Sequence, residues 1–262
     1  MKIISWNLWI DNTSQIRSVK NLLQKLEPEI VCLQEVTSTT LEYLKLLDDY
    51  QLCHCLDFTR PLNPPSSFSS EKNQRPGNER GLASYLVILS KYQIDKCHCE
   101  AIHNDNPNTF LAKLKGINKP REFQFVDIVF NERKYRIFNI HLEMATGSKR
   151  RLEEFNNVLK YKQLGQFNIF CGDFNIFSRP LLNFVIGWGL NLKGREYFMN
   201  ERRQFNRIFA YYNLINVFKR RVTYPRFRLQ LDHILIPNNL QVKAYKVLSS
   251  SSSDHRAIVV CI

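Results

Sequence analysis

Apolar residues recur along the chain with two periods, one typical of strands and the other typical of helices. A short apolar run at residues 2–6 predicts a first strand. Residues 16–26 then place apolar side chains at helical spacing, and Pro28 ends that helix because its ring cannot continue the hydrogen-bonding pattern. A compact β-branched segment at residues 29–34 predicts the next strand. Together these elements predict a β-α-β unit whose two strands have their C-terminal ends at the same edge of a sheet.

The same two periods continue through the rest of the chain. Thr39-Thr40-Leu41-Glu42 has the form of a capping box and begins a second predicted helix, and helical spacing predicts two more at residues 151–159 and 201–212. Further strands are predicted at residues 83–89, 109–114, 122–130, 135–141, 168–171, 232–236 and 257–261. Because helices separate only some of these strands, the pattern predicts a layered α/β fold with mixed strands.

The chain is long and apolar enough to form one large core. It has 262 residues, of which 44% are hydrophobic and 12% aromatic, so a single domain over residues 1–262 is expected. Residues 60–80 are rich in Pro, Ser, Asn and charged residues, and strands resume directly after them. This composition predicts a mobile loop within the domain, on the substrate side. The serine run at residues 249–253 predicts a flexible turn before the last strand.

The net positive charge of the chain favours negatively charged binding partners. Lys and Arg number 37 against 24 Asp and Glu, a formal net charge of +13, which attracts phosphate-rich partners such as nucleic acid or an anionic membrane surface. The N-terminal residues lack an apolar core of signal-peptide length, and no apolar run has transmembrane length. A monomeric cytoplasmic protein is therefore expected, although a protein exported without a cleaved signal would have the same features.

The cysteines allow two interpretations. Their number, seven, is odd and includes no CxxC pair, which predicts reduced thiols rather than a disulfide framework. The triplets Cys53-His54-Cys55 and Cys97-His98-Cys99 could supply four thiolates to zinc if their strands were neighbours, but the spacing differs from that of known zinc ribbons. Alternation along a strand puts both cysteines of a triplet on one face. We therefore favour a role as small apolar core residues.

Polar residues that can carry chemistry stand where the apolar strands begin or end. Strand ends are where the active sites of α/β proteins assemble. These positions are Asn7, Gln34-Glu35, His141, Asp173 with Asn175, Asp232-His233 and Asp254-His255. An isolated Glu after a strand is more often a solvated loop residue or a helix cap, and a lone His is more often a core residue. The candidate site depends on the whole set.

Two of these positions form a close pair. Asp173 and Asn175 are two residues apart on an extended segment, so their side chains face the same way and can orient and deprotonate a water molecule. Gly172 would let a substrate approach the backbone. A turn closed by the Asp and Asn side chains explains the same residues without catalysis. Asp254 and His255 supply a carboxylate and an imidazole beside a strand start, a useful pairing next to a divalent cation and a phosphate.

The order of these motifs resembles that of the endonuclease/exonuclease/phosphatase superfamily. The resemblance rests on Trp6-Asn7, Leu33-Gln34-Glu35-Val36, Leu89-Ser90-Lys91-Tyr92, Asn139-Ile140-His141-Leu142-Glu143, Gly172-Asp173-Phe174-Asn175, Leu231-Asp232-His233-Ile234-Leu235 and Ser253-Asp254-His255. Each motif is short, but together they span nearly the whole chain in the expected order. The resemblance implies a four-layer α/β/β/α sandwich of two mixed sheets, of the deoxyribonuclease-I-like kind, with the active site at one end.

The resemblance also implies a cofactor and a metal-binding set. Members of the superfamily bind Mg²⁺ or Mn²⁺. By similarity, Glu35 would be the principal metal ligand, with Asn7 and Asp254 near the metal or its waters, an oxygen-rich set that suits Mg²⁺. Asp173 would activate or align the attacking water, and Asn175 would hold that water and the phosphate.

The histidines complete the implied mechanism. His255 would contact the phosphate and be oriented by Asp232 through its other ring nitrogen. His141 would donate to a second phosphate oxygen or protonate the leaving group. Together with the metal, these groups would neutralise charge on a pentacoordinate phosphorus during in-line attack by water.

The chain departs from the superfamily's motifs at some positions, and these differences indicate which branch of the superfamily it resembles. Apurinic-site endonucleases of the superfamily have an Asp two residues after the first Asn, whereas this chain has Trp9, and they have a Tyr motif where this chain has His141-Leu142-Glu143. The His-Leu-Glu segment, followed by Lys149-Arg150-Arg151, is more similar to tyrosyl-DNA phosphodiesterases, pancreatic-type deoxyribonucleases and some lipid phosphodiesterases. The missing Asp weakens the first of these similarities.

Three functions remain open from the sequence. A nuclease or DNA/RNA end-processing phosphodiesterase is favoured by the charge and by basic clusters with interleaved aromatics, such as Lys219-Arg220-Arg221 and Arg226-Phe227-Arg228. The alternative for each cluster is a solvated face. A phosphoinositide or sphingolipid phosphodiesterase or phosphatase would use the same charge at an anionic bilayer. A non-catalytic binding module that keeps the fold is the third possibility, and the complete residue set argues against it.

Overall fold

The computed structural model describes residues 1–60, 82–117, 119–177, 185, 187–249 and 252–262. The mobile loop predicted at residues 60–80 lies outside this part of the chain from residue 61 onward, and the predicted serine turn lies partly outside it. Among the described residues, no helix is long and apolar enough to cross a membrane.

Strands supply most of the framework. They are β1 (Lys2–Asn7), β2 (Ile30–Thr37), β3 (Gln51–Arg60), β4 (Leu82–Ser90), β5 (Ile94–Ala101), β6 (Glu122–Phe130), β7 (Arg133–His141), β8 (Phe167–Asp173), β9 (Leu214–Asn216), β10 (Asp232–Pro237), β11 (Ala244–Val247) and β12 (Ile258–Cys261). The helices are α1 (Gln15–Leu26), α2 (Ser38–Leu44), α3 (Phe110–Leu114), α4 (Ser148–Leu159) and α5 (Glu201–Tyr211). Short 3₁₀ helices lie at Gly194–Phe198 and Pro225–Phe227.

The strands form two mixed six-stranded sheets. The first has the order β11-β12-β1-β2-β4-β3 and the second the order β5-β6-β7-β8-β10-β9. Within each sheet the two strands that lead into the predicted site are parallel, β1 with β2 and β7 with β8, and the other paired strands are antiparallel. The α/β fold predicted from the sequence, with two mixed sheets and outer helices, is confirmed.

Three apolar layers hold the sandwich together. The layer between the sheets combines residues such as Ile3 of β1 with Ile137 of β7. On the outside of the first sheet, Leu33 of β2 packs in a cluster with Val19 of α1. Outside the second sheet, aromatic rings from α4, α5, β7 and β8 form a cluster that includes Phe155. These burials orient the strands so that the polar residues at their ends meet at one end of the sandwich.

One predicted strand is a helix in the structure. Residues 109–114 were expected to be extended, but Phe110–Leu114 forms α3. The side chain of Thr109 accepts a hydrogen bond from the backbone N–H of Ala112 and so caps the helix. The second predicted helix also begins earlier than expected, at Ser38, because the Thr37 hydroxyl accepts from the N–H of Thr40.

The expectation of reduced thiols is wrong for one pair of cysteines. Cys53 of β3 and Cys97 of β5 form a disulfide with an S–S distance of 2.01 Å. The bond joins an edge strand of one sheet to an edge strand of the other. Cys53 and Cys55 are buried, as expected for core residues, and the sulfurs of Cys53, Cys97 and Cys99 lie within 4.8 Å of one another. The sequence does not show which strand edges face each other, so it could not predict this pairing.

Candidate active site

The strand ends converge on a cavity of about 600 Å³. Six of the eight predicted site residues line it: Glu35, His141, Asp173, Asn175, Asp254 and His255. Asn7 and Asp232 are not in the cavity wall, but each hydrogen-bonds to residues that line it. The structure therefore brings all eight predicted residues together. Parallel pairing brings the ends of β1 and β2, and of β7 and β8, to one edge, and antiparallel pairing brings the starts of β10 and β12 to the same edge.

Glu35 is directed into the cavity by an irregularity in β2. The pairing of β2 with β4 shifts register between Leu33 and Val36, and Glu35 has a positive φ of 56°. Its Oε2 accepts from the backbone N–H of Ile10 at 2.8 Å, and its Oε1 accepts from Asn7 Nδ2 at 3.2 Å. The bulge therefore aims the carboxylate at the cavity instead of leaving it in the strand ladder.

Asp173 lies at the centre of the site and is almost fully buried. Its Oδ2 accepts from Asn7 Nδ2 at 3.1 Å, and its Oδ1 accepts from the backbone N–H of Asn175 at 2.9 Å. Asn175 has a φ of 49°, and its Nδ2 donates to the carbonyl of Leu142 at 2.9 Å. The turn that the sequence offered as an alternative is thus present. It holds the Asp173 carboxylate in place within the cavity wall, so the two interpretations are compatible.

Gly172 has a packing role that the sequence did not predict. A Cβ at this position would lie 1.9 Å from the carbonyl oxygen of Ile140, on the neighbouring strand β7. Its φ is +140°, a conformation that other residues rarely adopt. The glycine lets β7 approach β8 closely.

His255 is held by a buried carboxylate. Its Nδ1 lies 2.9 Å from Asp232 Oδ2, and both side chains are buried. Its other nitrogen, Nε2, lies 3.8 Å from Asp173 Oδ2. Burial alone would lower the pKa of His255, but the Asp232 and Asp173 carboxylates outweigh it and raise that pKa to about 10. The imidazole is therefore a cation at neutral pH.

His141 has the same arrangement with a partner that the sequence did not reveal. Its Nδ1 lies 2.7 Å from Oδ2 of Asp57, a fully buried residue of β3, and its Nε2 lies 3.8 Å from both Glu35 and Asp173. Burial lowers the pKa of His141, and Arg121 acts in the same direction, but Asp57 and Asp173 outweigh them and the net shift is upward. The sequence did contain one signal for this partner. Asp57 alternates with two cysteines along β3, so the three side chains lie on the same, inward face of the strand.

Arg121 connects the His141–Asp57 pair to the cavity wall. Its Nη1 donates to Asp57 at 3.0 Å and its Nε to Glu143 at 2.7 Å, and all three side chains are buried. The guanidinium also lies 4.0 Å from the centre of the Phe58 ring. Paired in this way, buried charges are tolerated and fix the position of Asp57 behind His141.

The oxygen atoms of the cavity fit a divalent cation. Asp254 Oδ1 is buried and has no hydrogen-bond partner among the described residues. Burial raises the pKa of Asp254 to about 6; His255 opposes this shift and Glu35 adds to it. An unsatisfied carboxylate oxygen beside the Glu35 carboxylate is the hard donor set that Mg²⁺ and Mn²⁺ prefer. Asn7 turns its amide nitrogen to the carboxylates and its Oδ1 to the N–H of Trp9, so it would offer an oxygen ligand only after the amide rotates.

One of the basic clusters is part of the framework. Arg151 is fully buried, and its guanidinium bonds Glu201 of α5 at 2.7 Å. Its neighbour Arg150 pairs with Glu154 at 3.5 Å. These two residues therefore stabilise the packing of α4 and do not form a free phosphate-binding surface. In contrast, Arg226 and Phe227 are exposed, and the Phe227 ring lines the cavity.

Comparison with known proteins agrees with this geometry. A model of the endonuclease/exonuclease/phosphatase family matches residues 4–255, a span that includes all eight predicted site residues. No match is found among curated proteins.

Solved structures with the same fold cover nearly the whole chain. An endonuclease/exonuclease/phosphatase family protein from Leptotrichia buccalis C-1013-b aligns with a TM-score of 0.68 and 15% identity, covering 100% of this chain and 98% of that one. D. rerio TDP2 complexed with single strand DNA product aligns with a TM-score of 0.62 and 16% identity, covering 99% and 97%. A functionally unknown conserved protein from Enterococcus faecalis V583 aligns with a TM-score of 0.65 and 16% identity, covering 99% and 98%. At these identities the similarity establishes the fold.

Proposed function

Because the chain belongs to the endonuclease/exonuclease/phosphatase family, we propose that it is a metal-dependent hydrolase of phosphodiester bonds in nucleic acid, either a nuclease or an enzyme that processes DNA or RNA ends. One observation carries the proposal. Two buried histidines, each hydrogen-bonded to its own carboxylate, point their free nitrogens at Asp173 in a cavity that also contains Glu35. A purely structural network would not need to open onto a cavity of this size.

Glu35 and Asp254 would hold the metal, with Asn7 beside them. When bound, Mg²⁺ or Mn²⁺ would neutralise charge on the phosphate that is attacked. Asp254 supplies the physical argument for a cation, because a buried carboxylate oxygen without a hydrogen-bond donor is costly unless a cation compensates it.

The residues of the chain account for the proton transfers. Asp173 accepts a proton from the attacking water while the water oxygen forms its bond to phosphorus and the bond from phosphorus to the leaving oxygen breaks. His255, cationic at neutral pH, stabilises the negative oxygens of the phosphate. His141, whose protonated form is favoured by Asp57, gives its Nε2 proton to the leaving oxygen. Each histidine is oriented through Nδ1, so that only Nε2 faces the reacting atoms.

Nucleic acid is the substrate favoured by the surface next to the site. Phe227 is exposed, lines the cavity and is flanked by Arg226 and Arg228, which suits base stacking together with phosphate contact. The solved complex of D. rerio TDP2 with a single strand DNA product shows that this fold can accommodate such a strand in that protein.

A second candidate, a lipid phosphodiesterase, has one observation in its favour. The cavity wall also includes apolar residues of α3 and the segment after it, Leu111, Leu114 and Ile117. An apolar wall beside a phosphate site would suit an acyl chain as well as a base. Hydrolysis of liposomal phosphoinositide or sphingolipid without any nuclease activity would favour this candidate over the first.

Asp173→Asn is the variant that tests the proposal. The purified protein is incubated with Mg²⁺ or with EDTA and a panel of labelled single-stranded and double-stranded DNA and RNA, including a 5′-tyrosyl end. We expect Mg²⁺-dependent cleavage that falls by about 100-fold or more in Asp173→Asn, since the amide cannot accept the proton of the water. The matched control is Asp95→Asn, which removes an exposed carboxylate of β5 and should leave the rate unchanged.

Two outcomes would contradict the proposal. Equal cleavage by both variants would mean that Asp173 takes no part in the reaction. If none of the nucleic acids were cleaved and lipid vesicles or small phosphoesters were hydrolysed, those compounds would be the substrates.

A further inference from the structure

A second, smaller cavity lies on the opposite face of the second sheet, away from the candidate active site. We call it the outer pocket; its volume is about 170 Å³, and Arg202, Asn206, Lys219, Arg220, Gln230 and His233 are among its lining residues. Since successive strand residues point to opposite faces, His233 of β10 points away from the face used by Asp232. The two cavities share no lining residue.

The imidazole of His233 has one nitrogen satisfied and the other free. Its Nδ1 lies 3.0 Å from Asn216 Nδ2 and 3.3 Å from Gln230 Nε2. Both amides are fixed in this orientation, because Asn216 Oδ1 accepts from the N–H of Phe218 and Gln230 Oε1 accepts from the N–H of Arg220. With two donors facing it, Nδ1 must be the acceptor, so the proton of the neutral ring is on Nε2.

That Nε2–H donor is buried and unpaired. His233 is only 2% exposed, and its Nε2 has no hydrogen-bond partner among the described residues. Burial and the nearby Arg202 lower the pKa of His233 to about 3, although the backbone of Gln230 acts in the opposite direction, so the ring stays neutral at physiological pH. A buried donor without an acceptor is unfavourable, so an acceptor that reached Nε2 would be stabilised there.

Three cations surround the same pocket. Arg202, Lys219 and Arg220 line it, and within the described part of the chain none of them forms an ion pair with a carboxylate. Burial and the repulsion from Arg220 lower the pKa of Arg202. Arg202 is half-buried and Arg220 is exposed, and an anion bound between these two guanidinium groups would offset their repulsion.

We propose that the outer pocket binds a phosphate group, with Arg202, Lys219 and Arg220 neutralising its charge above the buried His233 ring. The phosphate belongs either to a nucleic-acid backbone or to a small phosphate in solution, and both present the same oxygens. The site is separate from the hydrolytic centre and does not depend on the proposed hydrolysis.

Binding is measured on the full chain in EDTA, so that turnover plays no part. The probes are inorganic phosphate, with chloride at equal ionic strength as the reference, and a phosphorothioate oligonucleotide. The test variants are Arg202→Gln and Arg220→Gln. Their matched controls are Arg203→Gln and Arg221→Gln, which remove the same charge from exposed neighbours that do not line the outer pocket.

We expect phosphate to raise the melting temperature of the wild-type protein and to bind about 10-fold more weakly to each test variant, whereas the controls stay within about 2-fold of wild type. The same measurements in a His255→Ala background should give the same pattern, since that change disables only the catalytic cavity. Weaker oligonucleotide binding in the test variants identifies a backbone phosphate as the ligand. An effect limited to inorganic phosphate identifies a small anion.

Three results would overturn the proposal. The first is equally weakened phosphate binding in the test and control variants, which would mean that phosphate responds to the overall positive charge of the surface and not to this pocket. The second is the absence of any stabilisation by phosphate relative to chloride. The third is loss of the phosphate effect in His255→Ala alone, which would assign the anion to the catalytic cavity.

Discussion

Asp173 is flanked by two histidines of the same design. The Nε2 atoms of His141 and His255 both lie 3.8 Å from Asp173 Oδ2, and each Nδ1 is bound to a buried carboxylate. Each orienting carboxylate fixes the ring and favours its protonated form. The result is one carboxylate between two imidazole nitrogens that can each donate a proton, a pattern that suits a phosphate with a water molecule beside it.

Asp57→Asn tests whether His141 depends on its buried partner. The amide keeps the shape of the side chain but loses the charge that raises the pKa of His141, so we expect the rate on the identified substrate to fall by about 10- to 100-fold. If protonated His141 is the donor, activity disappears as pH rises through its pKa, and the alkaline limb of the rate profile should move to lower pH. An unchanged profile together with a reduced rate would mean that Asp57 is only structural. Asp95→Asn is again the control.

His255 should make stability depend on pH in a predictable direction. Its pKa is raised from 6.5 to about 10 in the folded protein. A raised pKa contributes stability that is fully present below pH 6.5 and is lost as pH rises through 10. We therefore expect the difference in unfolding free energy between the wild type and His255→Gln to be largest near pH 6 and to shrink steadily towards pH 10. Urea denaturation of both proteins across this range measures it, and a difference independent of pH would contradict the assignment.

At the level of elements, the sequence predicted the central strands better than the edge strands. The four strands absent from the predicted set, β3, β5, β9 and β11, are the outermost strands of the two sheets. An edge strand is covered on fewer sides, and β5 and β11 are mostly exposed, so their apolar alternation is weak. Asp57 on β3 was missed for another reason, because its importance depends on which strand lies opposite β7.

Gly172→Ala tests how tightly β7 and β8 approach each other. The added methyl group would meet the carbonyl oxygen of Ile140 at 1.9 Å, so β8 must move and Asp173 must move with it. We expect the unfolding free energy to fall by at least about 2 kcal/mol and activity to fall with it. Gly165→Ala is the control, because its φ is also positive, +79°, but nothing lies within 4 Å; it should cost only about 1 kcal/mol. Equal costs would show that the strand contact is unimportant.

For the whole molecule, the order of the site motifs was predictable because each of them follows or precedes an apolar strand. Parallel pairing of β1 with β2 and of β7 with β8, and antiparallel pairing of β12 with β1 and of β10 with β8, then bring those positions to one edge. The Cys53–Cys97 disulfide and the outer pocket could not be predicted in this way. Both depend on contacts between elements that are distant in sequence and that no periodicity encodes.

The net charge of +13 leads to a prediction about salt. Arg150 and Arg151 are engaged within the protein, so fewer basic residues are free to contact phosphates than the composition suggests. If three phosphates are contacted, the affinity for nucleic acid should fall about 40-fold between about 50 and 200 mM salt, since each contact releases a counterion. Fluorescence anisotropy with a labelled oligonucleotide in EDTA measures the slope. A flat response would remove nucleic acid as the substrate. If Arg226 makes one of these contacts, the slope should fall by about one third in Arg226→Gln, and an unchanged slope would place the binding surface away from the cavity rim formed by Phe227.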